Sequence, residues 1–189
     1  GVELCLLFVR DGKTSKSRAL KVLDHACGYA EESTAPQTNG TSEGKEPVQE
    51  TTLNSATAVC TKLIDSRGLK PLFSTFSKTN KTKKSHNDPQ QTEHILGIFA
   101  SLLRSLPGNS DTRFRLLAKF LEKDYEKITK LVSLRRDYVT RLSAFDQRLA
   151  EKRKALRPRS KEDLESFELE NIPERLSEGL YCLERIDAV

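Results

Sequence analysis

Histidines and carboxylates are the residue types in this chain whose spacing could carry out chemistry. His25, His86 and His94 form no HExxH motif and no two-ligand helical spacing with a nearby cysteine. Asp24 and His25 could be combined with a serine into a triad, but the chain has no nucleophile elbow and no oxyanion-hole glycines. We therefore predict no catalytic residue, no metal site and no cofactor. We expect His25 and His94 to satisfy local hydrogen bonds between packed helices.

The cysteines Cys5, Cys27, Cys60 and Cys182 are widely scattered and include no CxxC pair. Their even number permits disulfides, but the chain is not small and no signal peptide opens it. The pattern favours reduced, buried thiols in an intracellular protein. The apolar run at residues 2–9 is far too short to span a bilayer, so we expect no membrane association.

Composition indicates a folded domain with a flexible part. Hydrophobic residues make up 36% of the 189 residues and charged residues 31%, which is a polar balance for a compact domain. The net charge of +5 is not accompanied by a set of aromatic residues for base stacking, so charge alone does not favour nucleic acid. The chain contains no methionine and its first residues read as a helix already under way, so we expect a fragment of a longer protein.

Two or three successive amphipathic helices are predicted between Pro89 and Leu156. The first ends at Pro107-Gly108, and its apolar residues share one face at three-four spacing: Ile95, Ile98, Phe99, Leu102, Leu103 and Leu106. A second helix, Asp111 to Leu121, places four apolar residues on one side: Phe114, Leu117, Ala118 and Leu121. The third helix runs from about Tyr125 to Leu156.

The long third helix carries a seam at alternating three and four spacings, in which Arg135 occupies one position: Ile128, Leu131, Tyr138, Leu142, Phe145 and Leu149. Such a seam packs on neighbouring helices of the same chain or forms a coiled coil with another chain. We favour packing within the chain because the helix covers only about four heptads. In either case Arg135 holds a partner carboxylate or extends to the edge of the interface.

The rest of the chain alternates helices with polar segments. Residues 1–28 and 52–189 are predicted to form the helical domain, and the polar segment 29–51 to be a low-complexity disordered insertion. Helix returns at Leu53 and ends at Gly68, and residues 78–88 form a lysine-rich loop. The last stretch has a weaker apolar spacing: Leu176, Leu180, Leu183 and Ile186. With no alternating run long enough for a strand, the fold class is all-α, and the short breaks suit an armadillo or HEAT-like solenoid, or superhelix.

Four stretches together resemble the β-catenin-like protein 1 family of nuclear armadillo-type proteins. They follow the family's order and cover nearly the whole chain outside the insertion: Ser17 to Ala26, Glu93-His94 with Ile98 to Arg104, Arg115 to Lys127 leading to Leu131 and Tyr138, and Arg175 to Leu183. The resemblance implies the C-terminal part of an armadillo-like superhelix. It also implies nuclear localisation, a role in the spliceosome-associated NineTeen complex in pre-mRNA splicing, and recognition of basic, localisation-type segments of protein partners. The insertion at 29–51 is longer and more polar than this family pattern, and the family continues beyond Val189.

Partner contacts are predicted at Arg135, Arg148, Lys152 and Arg153. The last three begin a basic run that continues through Lys154, Arg157, Arg159 and Lys161. This run has three interpretations: a solvated helix end that complements the helix dipole, a nuclear-localisation signal, or a contact for RNA phosphates. For basic partners, the carboxylates of Asp124, Glu126 and Asp137 are candidates, although intrahelical pairing explains the last two better.

The sequence therefore predicts a non-catalytic protein-interaction scaffold rather than an enzyme. Two alternatives stay open. The first is an armadillo-type nuclear transport adaptor for basic cargo, although this chain shows no regular row of groove-lining acidic residues. The second is a coiled-coil oligomerisation element centred on Tyr125 to Leu156. Direct RNA contact is not decided by the sequence.

Overall fold

The computed structural model describes residues 1–12, 14–28, 48–78, 89–156 and 161–189, with side chains omitted at 48–54, 156 and 161. The elements of these ranges are α1 (Val2–Asp11), α2 (Lys16–Gly28), α3 (Val48–Asp65), α4 (Leu69–Lys78), α5 (Pro89–Ser105), α6 (Asp111–Leu156), α7 (Lys161–Ser177) and α8 (Leu180–Asp187). No strand occurs in the described ranges. The predicted all-α class is confirmed.

Helix α3 begins at Val48 rather than at Leu53, so residues 48–51 of the predicted insertion are helical. The physical reason is local. No glycine or proline occurs between Pro47 and Gly68, so nothing in residues 48–52 prevents the helix from starting directly after Pro47. The rest of the predicted insertion, 29–47, and the lysine-rich loop beyond Lys78 lie outside the described residues.

Helix α3 ends in a Schellman motif. The Gly68 amide donates to the Leu63 carbonyl at 2.9 Å, and the Arg67 amide donates to the Ile64 carbonyl at 3.0 Å. The sequence correctly indicated a helix end here, but the left-handed residue is Arg67, with φ of 59°, and not Gly68. An L-residue with a bulky side chain adopts this conformation at a cost that glycine avoids.

The chain forms two compact units, Gly1–Tyr125 and Glu126–Ala188. In the first unit, α5 is the central helix, and α2 packs most extensively on it. Thr92 and the whole run from His94 to Leu102 are buried. The sequence predicted one buried face for α5, whereas the helix is enclosed on several sides, as expected for an element at the centre of a helical stack.

Four phenylalanines link α4, α5 and the first part of α6. Phe73 and Phe99 stack with ring centroids 4.7 Å apart, and Phe120 meets both rings edge-on at 4.9 and 5.3 Å. Phe76 also meets Phe99 edge-on, at 5.5 Å. These geometries are the favourable ones for aromatic pairs, so this cluster is a main source of packing energy in the first unit.

The buried face predicted for the helix from Asp111 to Leu121 is wrong. Leu116 and Phe120 are buried, while the predicted face is exposed: Phe114, Leu117, Ala118 and Leu121. This segment carries apolar residues on two faces, and the face that includes Phe120 packs inward because its ring joins the phenylalanine cluster.

The predicted break between the second and third helices is present inside α6. Residues Glu122 to Tyr125 have non-helical backbone angles, with positive φ from Lys123 to Tyr125. The boundary between the two compact units falls at the end of this break.

The second unit is an antiparallel helical hairpin formed by the second part of α6 with α7 and α8. Four ion pairs join the two sides: Arg153–Glu168, Arg175–Asp146, Arg148–Glu178 and Arg135–Asp187. Along α6 from Arg153 back to Arg135, the partners advance from α7 to the end of α8, which is the signature of antiparallel pairing. The connection at 157–160 lies outside the described residues.

The centre of the hairpin is the approach of Tyr138 to the start of α8. Gly179, with φ of +106°, leaves no room for a Cβ because the Tyr138 ring lies against it. The Arg141 guanidinium lies over the same ring, 4.7 Å from its centroid. Burial raises the pKa of the Tyr138 phenol. Gly179 therefore serves both the turn and the close packing.

Candidate interaction surfaces

The buried seam of the long helix α6 shares four residues with the predicted one and differs from it at two other positions. The buried residues are Lys127, Leu131, Leu134, Tyr138, Leu142 and Phe145. Leu134 therefore occupies the position assigned to Arg135, and Lys127 is more buried than Ile128. Adjacent positions both fit a three-four pattern, and at 134/135 the apolar Leu134 is the side chain that gains by burial. The burial of Lys127 instead of Ile128 has no such explanation.

Arg135 lies on the exposed flank of the hairpin and binds a carboxylate of its own chain. Its Nε donates to Asp187 Oδ1 at 2.6 Å, and half of the side chain is exposed. The hydrogen bond with Asp187 raises the pKa of the guanidinium. The carboxylate that Arg135 binds therefore belongs to the same chain.

The other predicted contact residues lie along the same helix and are exposed. Arg148 pairs with Glu178 at 3.5 Å and Arg153 with Glu168 at 3.6 Å. Lys152 has no ion pair within the described ranges. Arg135, Arg148 and Arg153 thus stabilise the hairpin, and an incoming ligand would compete with their carboxylates. Their role in partner contact stays a prediction.

A surface that the sequence reasoning missed lies on α7. Leu169, Ile172 and Leu176 are exposed, by 66, 43 and 46%. Their three-four spacing places them in one row on the helix, which we call the α7 stripe. The apolar spacing of the sequence predicts Leu176 on the inner side, and this prediction is wrong because the side chain is exposed. The half-buried side of α7 is instead formed by Leu164, Phe167, Asn171 and Arg175.

Exposed carboxylates lie on the same helix as the α7 stripe. Glu162, Glu170 and Glu174 are exposed and have no ion pair with any residue that the structure describes. Helix α7 as a whole carries six acidic residues against two basic ones. An exposed helix that carries both an apolar row and an excess of negative charge matches a basic segment that also carries apolar side chains. The signal that could have located it was this excess of acidic residues around a weak apolar spacing.

The one histidine–carboxylate pair among the described side chains joins two packed helices. His94 Nδ1 and Asp24 Oδ2 are 3.0 Å apart, and both side chains are nearly buried between α2 and α5. The prediction that His94 satisfies a hydrogen bond in the helix stack is correct. His25, the histidine of the triad considered above, is exposed, so the prediction that it lies between packed helices is wrong.

Asp24 fits against α5 because residue 97 is a glycine. A Cβ at Gly97 would overlap the Asp24 carboxylate. No hydrogen bond joins His94 to a serine within the described ranges, so the pair fastens two helices rather than activating a nucleophile.

The cysteines are free thiols, and three of the four are buried. Cys27 and Cys60 form a hydrogen bond with each other, and this contact together with burial raises the pKa of the Cys27 thiol. No group of three potential metal ligands occurs in the described part of the chain. No described helix combines the length and apolarity that crossing a bilayer requires.

Comparison with known proteins gives a consistent picture. Residues 48–189 match the family model described as catenin-beta-like, Arm-motif containing nuclear. Beta-catenin-like protein 1 of Mus musculus and that of Homo sapiens are each 33% identical over 188 residues, which is 98% of this chain and 29% of each relative. The Beta-catenin-like protein 1 homolog of Schizosaccharomyces pombe is 30% identical over 147 residues, covering 78% of this chain and 21% of that protein.

These matches confirm the predicted resemblance, including its position in the C-terminal part of the relatives. The chain spans less than a third of the length of the curated relatives that it matches. It belongs to the catenin-beta-like family of Arm-motif-containing nuclear proteins.

Proposed function

We propose that this chain is part of a non-catalytic nuclear scaffold that binds basic segments of protein partners, and that its parent protein acts in the spliceosome-associated NineTeen complex in pre-mRNA splicing. The family membership supports a nuclear armadillo-type protein. The observation that carries the binding proposal is the α7 stripe with its exposed carboxylates.

The chemistry of the α7 stripe supports binding of a basic segment. Each exposed carboxylate attracts a lysine or arginine weakly in water, so several contacts and some apolar burial are needed for useful affinity. Leu169, Ile172 and Leu176 supply the apolar area. A flexible partner segment loses conformational entropy when it orders on this surface, and burial of its apolar side chains offsets part of that loss. Glu170 and Glu174, one helical turn apart, provide adjacent negative charges.

A direct binding measurement tests the surface. We expect a short, fluorescently labelled peptide rich in lysine and arginine, with two leucines, to bind the full chain saturably. The double variant Glu170→Gln/Glu174→Gln should weaken that binding by about tenfold, since exposed ion pairs contribute up to about 1 kcal/mol each. The control Glu151→Gln/Glu184→Gln changes the net charge equally, at exposed positions outside α7. Equal weakening by both double variants would reject the α7 surface.

The cellular role is tested by affinity purification of the parent protein from nuclear extract after nuclease treatment, followed by mass spectrometry. Recovery of NineTeen-complex subunits from the wild type, and their depletion with Glu170→Gln/Glu174→Gln, is the expected result. Recovery of transport factors with varied basic cargo, and of no spliceosomal subunits, would favour the transport adaptor instead.

A further inference from the structure

A groove of about 550 Å³ lies in the first unit. It is formed by α1, the start of α2, the end of α3 and α4. Its volume is in the range of pockets that hold ligands of small-molecule or short-peptide size. The residues that line it determine which class of ligand it suits.

The groove is lined by four cationic side chains that have no counter-ion within the described ranges: Lys16, Arg67, Lys70 and Lys78. The other charges at its edge are already matched. Arg10 binds Asp11 at 2.8 Å, and Glu3 binds Lys62 at 2.8 Å. The groove therefore presents a net positive surface to a ligand.

Three of these four cations stand at positions that local energetics disfavour. Lys16 and Lys70 lie in the first turns of α2 and α4, where the helix dipole favours an anion and where neither helix has an acidic residue. Arg67 adopts the left-handed conformation that suits glycine. Helix stability explains neither the charges of Lys16 and Lys70 nor the left-handed conformation of Arg67, and all three residues line the same groove.

The remaining lining residues select among anions. Leu6, Leu7, Val9 and Pro71 give the groove an apolar side, and no aromatic ring is among the described lining residues. A single-stranded nucleic acid would gain little here, because its bases need rings on which to stack. A polypeptide with carboxylates and apolar side chains matches both the cations and the apolar side.

We infer that the groove between α1, α2 and α4 binds an acidic segment of a partner protein, through Lys16, Arg67 and Lys70. This ligand is opposite in charge to the one proposed for α7. The inference is therefore independent of the proposed function and can stand or fall without it.

The test uses the full chain and fluorescence anisotropy. The probes are a short labelled peptide rich in aspartate and glutamate with two leucines, the same peptide with asparagine and glutamine instead, and a single-stranded oligouridylate. The variants are Lys16→Gln/Lys70→Gln and Arg67→Gly. The control, Arg18→Gln/Lys21→Gln, removes two exposed charges of α2 that do not line the groove.

We expect saturable binding of the acidic peptide, weaker by about tenfold in Lys16→Gln/Lys70→Gln and by about fivefold in Arg67→Gly, and unchanged within about twofold in the control. The amide peptide and the oligouridylate should bind more weakly. Both groove variants should melt no lower than the wild type, because each removes a locally unfavourable group, so loss of binding cannot be attributed to unfolding.

Three results would overturn the inference. The first is tighter binding of oligouridylate that the same variants abolish, which would identify a nucleic-acid site. The second is equal weakening by the groove and control variants, which would indicate attraction to net charge alone. The third is the absence of saturable binding of the acidic peptide.

Discussion

At the scale of single residues, the buried pair of Asp24 and His94 depends on a glycine in the facing helix. We expect Gly97→Ala to lower the free energy of unfolding by about 1–3 kcal/mol, because the added methyl group overlaps the Asp24 carboxylate and displaces it from His94. Urea denaturation followed by circular dichroism measures the loss. Gly108→Ala is the matched control, since a Cβ there meets nothing within 4 Å. Equal effects of the two substitutions would contradict this role.

The cysteine thiols differ in solvent accessibility, and alkylation rates measure this difference. We expect Cys27 and Cys60 to react with iodoacetamide at least about tenfold more slowly than Cys5, because opening a core segment costs more than about 1.4 kcal/mol. Cys5 is partly exposed, whereas Cys27 and Cys60 are buried. The raised pKa of Cys27 slows it further at pH 8, because the thiolate is the reacting form.

Pulse alkylation with peptide mass spectrometry reports each cysteine separately, and the same pulse in concentrated urea should equalise them. Alkylation of Cys27 at the rate of Cys5 in the native protein would show that the contact between α2 and α3 opens readily.

At the scale of elements, the hairpin of the second unit tests which residue of α6 belongs to its seam. We expect Leu134→Ala to cost about 2–5 kcal/mol, because it removes a buried side chain. Arg135→Ala should cost less than about 1 kcal/mol, because its ion pair with Asp187 is half exposed. Chemical denaturation of the two single variants shows which of the two residues belongs to the buried seam. A larger loss of unfolding free energy for Arg135→Ala would instead support Arg135 as the seam residue, as the sequence predicts.

At the helix ends beside the groove, the residues that suit anion binding are not the ones that would give the most stable helices. Helix α4 starts with Lys70 in its first turn, and α3 ends with Arg67 in a left-handed conformation. A sequence selected only for stability would place an acidic residue and a glycine at these positions. The inferred anion groove gives both choices a physical reason.

At the scale of the whole molecule, the burial of the α6 seam predicts the oligomeric state. Because Leu131, Leu134, Tyr138 and Leu142 are buried within a single chain, they are not available to form a coiled coil with another chain. We expect sedimentation velocity to give one species with the mass of a monomer, 21.3 kDa, at all concentrations. A mass that rises with concentration in the wild type and not in a variant of the exposed α7 stripe would assign self-association to α7 instead.

Charge is distributed unevenly over the chain. The net charge of +5 conceals a groove lined by unmatched cations and a helix with six acidic residues. The two proposed ligands are therefore of opposite sign, and increasing salt should weaken binding of both peptides.

The sequence by itself determined the all-α class, the break near Leu121 and the stop at Pro107-Gly108, because these depend on short-range periodicity and on residues that end helices. The family resemblance was also carried by the sequence, through four ordered stretches that the comparisons confirm.

Only the tertiary structure decided which of two apolar faces is buried, as at Phe120, and which of two adjacent positions enters a seam, as at Leu134. It also brought together Asp24 with His94, and Lys16 with Lys70, residues that are far apart in the chain. The physical reason is that helix periodicity specifies faces relative to one another, whereas the partner of each face depends on packing between distant segments.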